Sequence, residues 1–236
     1  MYLKLAVSLA LISWILLETS SQGIQVSLLF VIGCGLGISL YHASFGFAGA
    51  YRRLFEEKDM SGVTAQLVML AIATILFAPV LAQGHAFDHG AVGAMAPVSL
   101  SMALGACLFG VGMQMGGACA SGTLFTGGAG NPRMLLLLFF FCIGAFRGSL
   151  DLHWWNQLPG TESVSLGELL GWEIIVPLQL LLLTFIYLLM RWRGCREDRD
   201  SLMKNWIGWK RLLIGPWPLL HGAVALALLN WAVLVT

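Results

Sequence analysis

Charge is what this chain has least of. Its 236 residues include 13 Lys and Arg and 12 Asp and Glu, a charged share of 11% against a hydrophobic share of 58%, where an ordinary soluble domain runs near a quarter charged. A soluble globular fold is excluded, and with it a basic nucleic-acid-binding face. The cysteines, Cys34, Cys107, Cys119, Cys142 and Cys195, include no Cys-x-x-Cys pair, and four of them lie in apolar runs, so a disulfide framework is not indicated. No Gly-x-x-x-x-Gly-Lys-Ser/Thr loop occurs, so nothing points to nucleotide-driven work. Nor does any Lys or Arg occur between Lys58 and Arg133.

What is present in quantity is apolar sequence in membrane-sized lengths. Measured against the roughly 20 residues a helix needs to cross a bilayer, runs at about 3–17, 24–41, 62–82, 97–115, 133–150, 168–190 and 216–235 predict seven spans. The first could be taken for a signal peptide, but its single Lys4, its Trp14 and the membrane run that follows at once favour a first span. If Lys4 is cytoplasmic, alternation puts Arg52, Arg53, Lys58, Arg133 and the 191–211 loop, with seven basic and three acidic residues, on the same side, as retained loops require. The opposite side receives the 83–96 and 151–167 loops, and Trp154, Trp155, Trp172, Trp192, Trp206, Trp209 and Trp217 fall near span ends as an interfacial belt. In the 83–96 loop His85, Asp88 and His89 have a metal-like spacing, but Gly84 and Gly90 leave little room for a helix, and no resident metal is expected.

One stretch breaks the apolar pattern at membrane depth. In GACLFGVGMQMGGACASGTLFTGGAGN, residues 105–131, an apolar helix is interrupted at Gly116-Gly117 and followed by Cys119, Ser121, Gly122 and Thr123. Unpaired backbone is excluded from lipid, so a break of this kind belongs inside protein or against a polar cavity, which points to a pathway. A shift of 73 residues lays 33–51 over 106–124, with Cys34 on Cys107, Gly37 on Gly110, Gly49 on Gly122, and Gly46 on Cys119. Both copies read as an apolar helix, a small-residue break and a short second piece, the arrangement of a repeat-based transporter fold. The expected fold is therefore an all-α integral membrane protein of about seven spanning helices, two of them glycine-broken and followed by short half-helices. Residues 1–150 form the motif-bearing half, and residues 151–236 hold the outer loop, connecting helices and basic loop.

At FGFAGAYRRLF (45–55) and LFGVGMQMGGACASGTLFTGGAGN (108–131), and more loosely at GPWPLLHGAVALALLN (215–230), the chain resembles the YeeE/YedE family, membrane proteins that bring thiosulfate and related sulfur compounds into bacteria. The resemblance implies a multi-pass protein of the bacterial inner membrane and a small sulfur-containing anion as cargo. Where the family commonly has cysteine between the two phenylalanines, this chain has Gly46. Long members continue into a second half, so the resemblance leaves open a second copy, a companion membrane subunit or a truncated chain.

The chemistry expected of the break follows from the cargo. An unpaired ion in a low-dielectric interior costs on the order of tens of kcal/mol, so a half-helix starting near Ala118 is expected to aim backbone N–H groups at the anion, helped by the Ser121 and Thr123 hydroxyls. Cys119 at its head is expected to make a transient S–H contact with the anion's terminal sulfur, in a setting kept open by Gly116, Gly117 and Gly122. Cys107 precedes it by about 18 Å of helix, so it is either a second station or, like Cys34, Cys142 and Cys195, an ordinary buried thiol, but not part of the same site. Around Gly46, Phe45 and Phe47 either form an apolar constriction or pack against neighbouring helices. Met113 and Met115 either extend a soft path or fill gaps, and His42 either tunes charge or bonds at a helix end. The expected function is a transporter or channel, not an enzyme, with no cofactor. The competing reading is a sulfur-relay subunit carrying a persulfide on Cys119, which requires an activating neighbour the sequence does not offer.

Overall fold

The structure, a computed structural model, describes residues 2–86, 89, 90, 93, 96–203 and 215–236. Long apolar helices dominate: α1 (Tyr2–Gln22), α2 (Ile24–Ala43), α4 (Ser61–Gln83), α5 (Leu100–Gly116), α7 (Pro132–Leu150), α10 (Trp172–Trp192) and α12 (Leu219–Val235). Between them lie the shorter α3 (Phe47–Glu56), α6 (Ala120–Gly128), α8 (Leu152–Trp155), α9 (Leu166–Leu170) and α11 (Arg199–Met203). A two-residue antiparallel pair, His85–Ala86 with His89–Gly90, completes the described elements. Asp88, the ring of His89, the Lys4 side chain and the stretch 204–211 with Trp206 and Trp209 lie outside the described residues.

The span count differs from the seven expected. Among the described residues, five helical units are long and apolar enough to cross a membrane: Ile24–Glu56, Ser61–Gln83, Leu100–Gly128, Pro132–Leu150 and Trp172–Trp192. The run at 216–235 yields only the 17-residue α12, because Pro218 disfavours the helical region for Trp217 before it and the helix starts at Leu219. α5, α7 and α10 carry no buried residue. Their leucines and phenylalanines stand outward, as on helices bathed by lipid rather than water.

Packing in the first part of the chain rests on small residues. α12 runs antiparallel along α2 and also packs on α4, and Gly222 sits so close to α2 that a Cβ there would collide with that of Ala43. A Cβ at Gly62 would lie 2.6 Å from the Ala50 Cβ, which brings α3 equally close to α4. Around these approaches Ala43, Phe45, Ala65, Leu202, Ala223 and Leu226 form the buried cluster.

Loop pairings sort the helix ends onto two faces. Met60 N–H donates to the Arg196 carbonyl at 2.9 Å and Arg196 N–H to that of Lys58 at 2.8 Å. Ser61, fully buried, donates its hydroxyl to Asp59 Oδ1 at 2.6 Å and accepts from Asp198 N–H at 2.7 Å. The basic 52–59 and 191–198 loops thus share one face, as alternation of the spans requires. On the opposite face Leu100 N–H donates to the Pro159 carbonyl and Thr161 N–H to that of Val98, both at 2.9 Å.

The 73-residue echo reappears in the backbone. α2 ends on Ser44 in the left-handed region (φ 47°), and α5 ends, 73 residues on, at Gly117 (φ 76°). Each half-helix then starts from an extended N-cap, Gly46 for α3 and Cys119 for α6, again 73 apart. Both units continue into a long helix, α4 and α7. α2 packs on α6 and α3 on α5, a reciprocal exchange that sets the two breaks beside each other.

Candidate functional site

The second break gathers Gly116, Gly117, Cys119, Ser121, Gly122 and Thr123 into one turn. Gly117 reverses the chain at a positive φ that a side chain tolerates poorly, and its N–H closes α5 on the Met113 carbonyl at 3.0 Å. A Cβ at Gly116 would lie 3.0 Å from Leu137, so its absence lets α5 approach α7. Two residues later Cys119 takes the capping place usually held by Ser, Thr, Asp or Asn: its Sγ accepts the Gly122 N–H at 3.4 Å. The half-helix begins at Ala120, with Cys119 at its head.

Cys119 is buried, at 9% exposure, and the hydrogen bonds around it decide what each group can offer. Its carbonyl accepts both the N–H and the hydroxyl of Thr123, each at 2.8 Å. The Thr123 hydroxyl proton is therefore engaged within the turn in this structure. Ser121 Oγ lies 3.2 Å from Cys119 Sγ. With Ser121 as donor, the sulfur accepts from two groups and its own S–H is left to point away. Gly122 N–H being capped, the first-turn N–H groups of Ala120 and Ser121 remain as backbone donors at the positive end of α6.

Cys119 and Thr123 line a cleft of about 570 Å³ between α5, α6 and α7. Its other walls are apolar: Leu108, Phe109 and Met113 from α5, Leu137, Phe140 and Phe141 from α7, with Gly112 and Gly144 providing width. No ionisable side chain besides the thiol lines it. The contribution of α7 was not anticipated from the sequence, although Gly144-Ala145 within a Leu and Phe run is the pattern of a close helix approach.

The remaining expected residues are distributed differently. Phe45, at 2% exposure, belongs to the buried cluster and stands edge-to-face with the half-buried Phe47 at 6.2 Å, so packing rather than a constriction describes it. Gly46 caps α3 with nothing within 4 Å of where a Cβ would stand. Cys107 is exposed and does not line the cleft, as is true of Met115. His42 stacks on Trp217 at 5.6 Å and its carbonyl accepts the Trp217 N–H at 2.8 Å, a helix-end role. All five cysteines are free, and among the described residues no group of His, Cys, Asp or Glu is placed to hold a metal.

None of the curated proteins matches the chain. The family model described as sulphur transport matches residues 42–236, a stretch that starts at the end of α2 and takes in the first break, the second broken helix, the cleft at Cys119 and α12. This chain belongs to the sulphur transport family, the YeeE/YedE family, as a helical membrane protein.

Proposed function

We propose that the chain passes thiosulfate, or a closely related small sulfur-containing anion, inward across the bacterial inner membrane by way of the cleft at Cys119. The observation that carries this reading is the thiol at the head of a half-helix, within an apolar unit (Leu100–Gly128) long enough to cross a membrane, on the wall of a cleft of about 570 Å³. The α6 N-terminus supplies partial positive charge without a fixed cation, so the anion is attracted yet not trapped, the compromise that conduction demands. Cys119 contributes a weak, polarizable S–H contact to the terminal sulfur. Passage needs no covalent step, and the cleft lining offers no base or cation to activate a persulfide carrier.

The shared face of the 52–59 and 191–198 loops is the cytoplasmic one in this reading, because retained loops carry the Lys and Arg excess. That orientation places the N-terminus inside. The cleft is flanked by outward-standing Leu108, Phe109, Phe140 and Phe141, and an anion cannot travel against lipid. A second copy or a companion membrane subunit closes that side.

Uptake of sulfur-labelled thiosulfate into sealed proteoliposomes tests the proposal. Cys119→Ala is expected to reduce uptake to the background of empty liposomes, while the purified variant keeps the thermal midpoint of the parent. Unchanged uptake by that variant removes the thiol from the mechanism.

A further inference from the structure

The cleft at Cys119 has a neighbour along α5. A second hollow, of about 330 Å³, lies on the face formed by the 96–101 stretch and α8, and its lining includes Ser99, Ser101, Gly105, Trp155 and Asn156. Leu108 lines both spaces. It stands nine residues after Ser99, about 13 Å along a helix, and its side chain is common to the walls of the two volumes.

The hollow is a built feature. The 98–100 and 159–161 strands of chain are held together by the two backbone bonds that Leu100 and Thr161 donate, and the Thr161 hydroxyl adds a third to the Val98 carbonyl at 3.2 Å. Gly160 permits this closeness, since a Cβ there would lie 2.6 Å from the Ser99 Cβ. The polar side chains that line the hollow, Ser99, Ser101 and Asn156, are uncharged and can each donate. Ser99 and Ser101 are 2.7 Å apart, and one hydroxyl proton is used between them. Ser99 Oγ also accepts the Met102 N–H at 3.2 Å, so the second hydroxyl proton is left for an outside acceptor. Asn156 adds an amide, and no carboxylate lines the space.

The first repeat shows what this level looks like when sealed. The counterpart of Leu108 is Gly35, 73 residues earlier, and Leu229 of α12 packs onto it, 3.3 Å from where a Cβ would stand. At Leu108 no such plug arrives from α12, which packs on α2 and α4.

We propose that the hollow at Ser99, Ser101 and Asn156 is the first station of a small oxyanion on its way to Cys119, and that the Leu108 side chain is the barrier between the two. This rests on the transport reading above, and it makes Leu108 a positioning and size-limiting residue.

The test reads access rather than transport. In a chain whose only thiol is Cys119 (Cys34, Cys107, Cys142 and Cys195 each replaced by alanine), the anionic reagent sulfonatoethyl methanethiosulfonate is added to sealed vesicles of known orientation on the face carrying residues 151–163. Leu108→Trp is expected to slow labelling of Cys119 by about tenfold or more, which is about 1.4 kcal/mol or more of added barrier. Leu108→Ala is expected to label at least as fast as the parent. Gly105→Leu, at a position with nothing within 4 Å of a new Cβ, is expected to slow labelling as well and decides the matter should the tryptophan variant not fold. Replacing Ser99 and Ser101 by alanine is expected to slow the anionic reagent relative to its trimethylammonium analogue. Parental labelling rates in both folded occluding variants, with thiosulfate uptake intact, overturn the assignment of this way in and leave the transport reading standing. Labelling that depends on Leu108 in a protein that takes up no thiosulfate does the reverse.

Discussion

Gly122→Val probes the tight turn that holds the thiol in place. A Cβ built at Gly122 lies 3.2 Å from the Ala118 Cβ and 3.5 Å from Cys119 Sγ. A first methyl is therefore absorbed by a shift of a few tenths of an ångström, and glycine replaced by alanine recovers about 1 kcal/mol of helix propensity. Gly122→Ala is accordingly expected to be close to neutral in stability. Valine adds two further methyls between the same neighbours, and overpacking of this kind costs about 1–3 kcal/mol. The only cheap relief is to push Cys119 Sγ away from the Gly122 N–H that it now accepts at 3.4 Å. The loss of thiosulfate uptake in Gly122→Val should thus exceed anything its stability explains. Uptake per folded protein, measured beside thermal midpoints for the alanine and valine variants, separates the two effects. A valine variant that transports like the parent would show that the thiol's position on the α6 N-terminus does not matter.

Two further outcomes follow from the same geometry. Ser61→Ala removes the buried hydroxyl that joins Asp59 to the Asp198 N–H; leaving such a donor unpaired costs about 1–3 kcal/mol, and chemical denaturation in mild detergent should show that loss without a change in which anions the protein accepts. Gly46→Cys should fold normally, because an extended N-cap with open space around it accepts a side chain, and a maleimide titration of the folded protein should count one more reactive thiol than the parent.

Much of this was legible beforehand, for definable reasons. Membrane class followed from the scarcity of charge, and the two breaks from glycines at depth, because backbone hydrogen-bond needs in lipid leave few alternatives. The register of the repeat could be read from Gly46 opposite Cys119, and the dihedral angles at Ser44 and Gly117 follow the same spacing. What was not legible depends on contacts between distant segments. For Phe45 the sequence leaves a constriction and helix packing equally open, and it is α12 and α4 that bury it. Thr123 has a donor to offer, but whether a hydroxyl turns to a ligand or to the carbonyl four residues earlier is decided by local helix geometry. The α7 wall of the cleft escaped notice because a uniform Leu and Phe run carries no periodicity that marks one face.

The two halves of the repeat share a backbone and differ in what covers it. At the first break α12 closes over α2, Gly222 meets Ala43, and Phe45 is sealed into the cluster; glycine at position 46 leaves that half-helix capped by no side chain. At the second, α5 has no buried residue, the cleft stays open between α5 and α7, and the cap is a thiol. If both units came from one ancestral element, the sealed copy now serves as the frame that α4 and α12 grip. The open copy leaves the Cys119 thiol on the wall of the cleft. Across the junction α2 packs on α6 and α3 on α5, so the sealed copy supports the turn in which Cys119, Gly122 and Thr123 are buried.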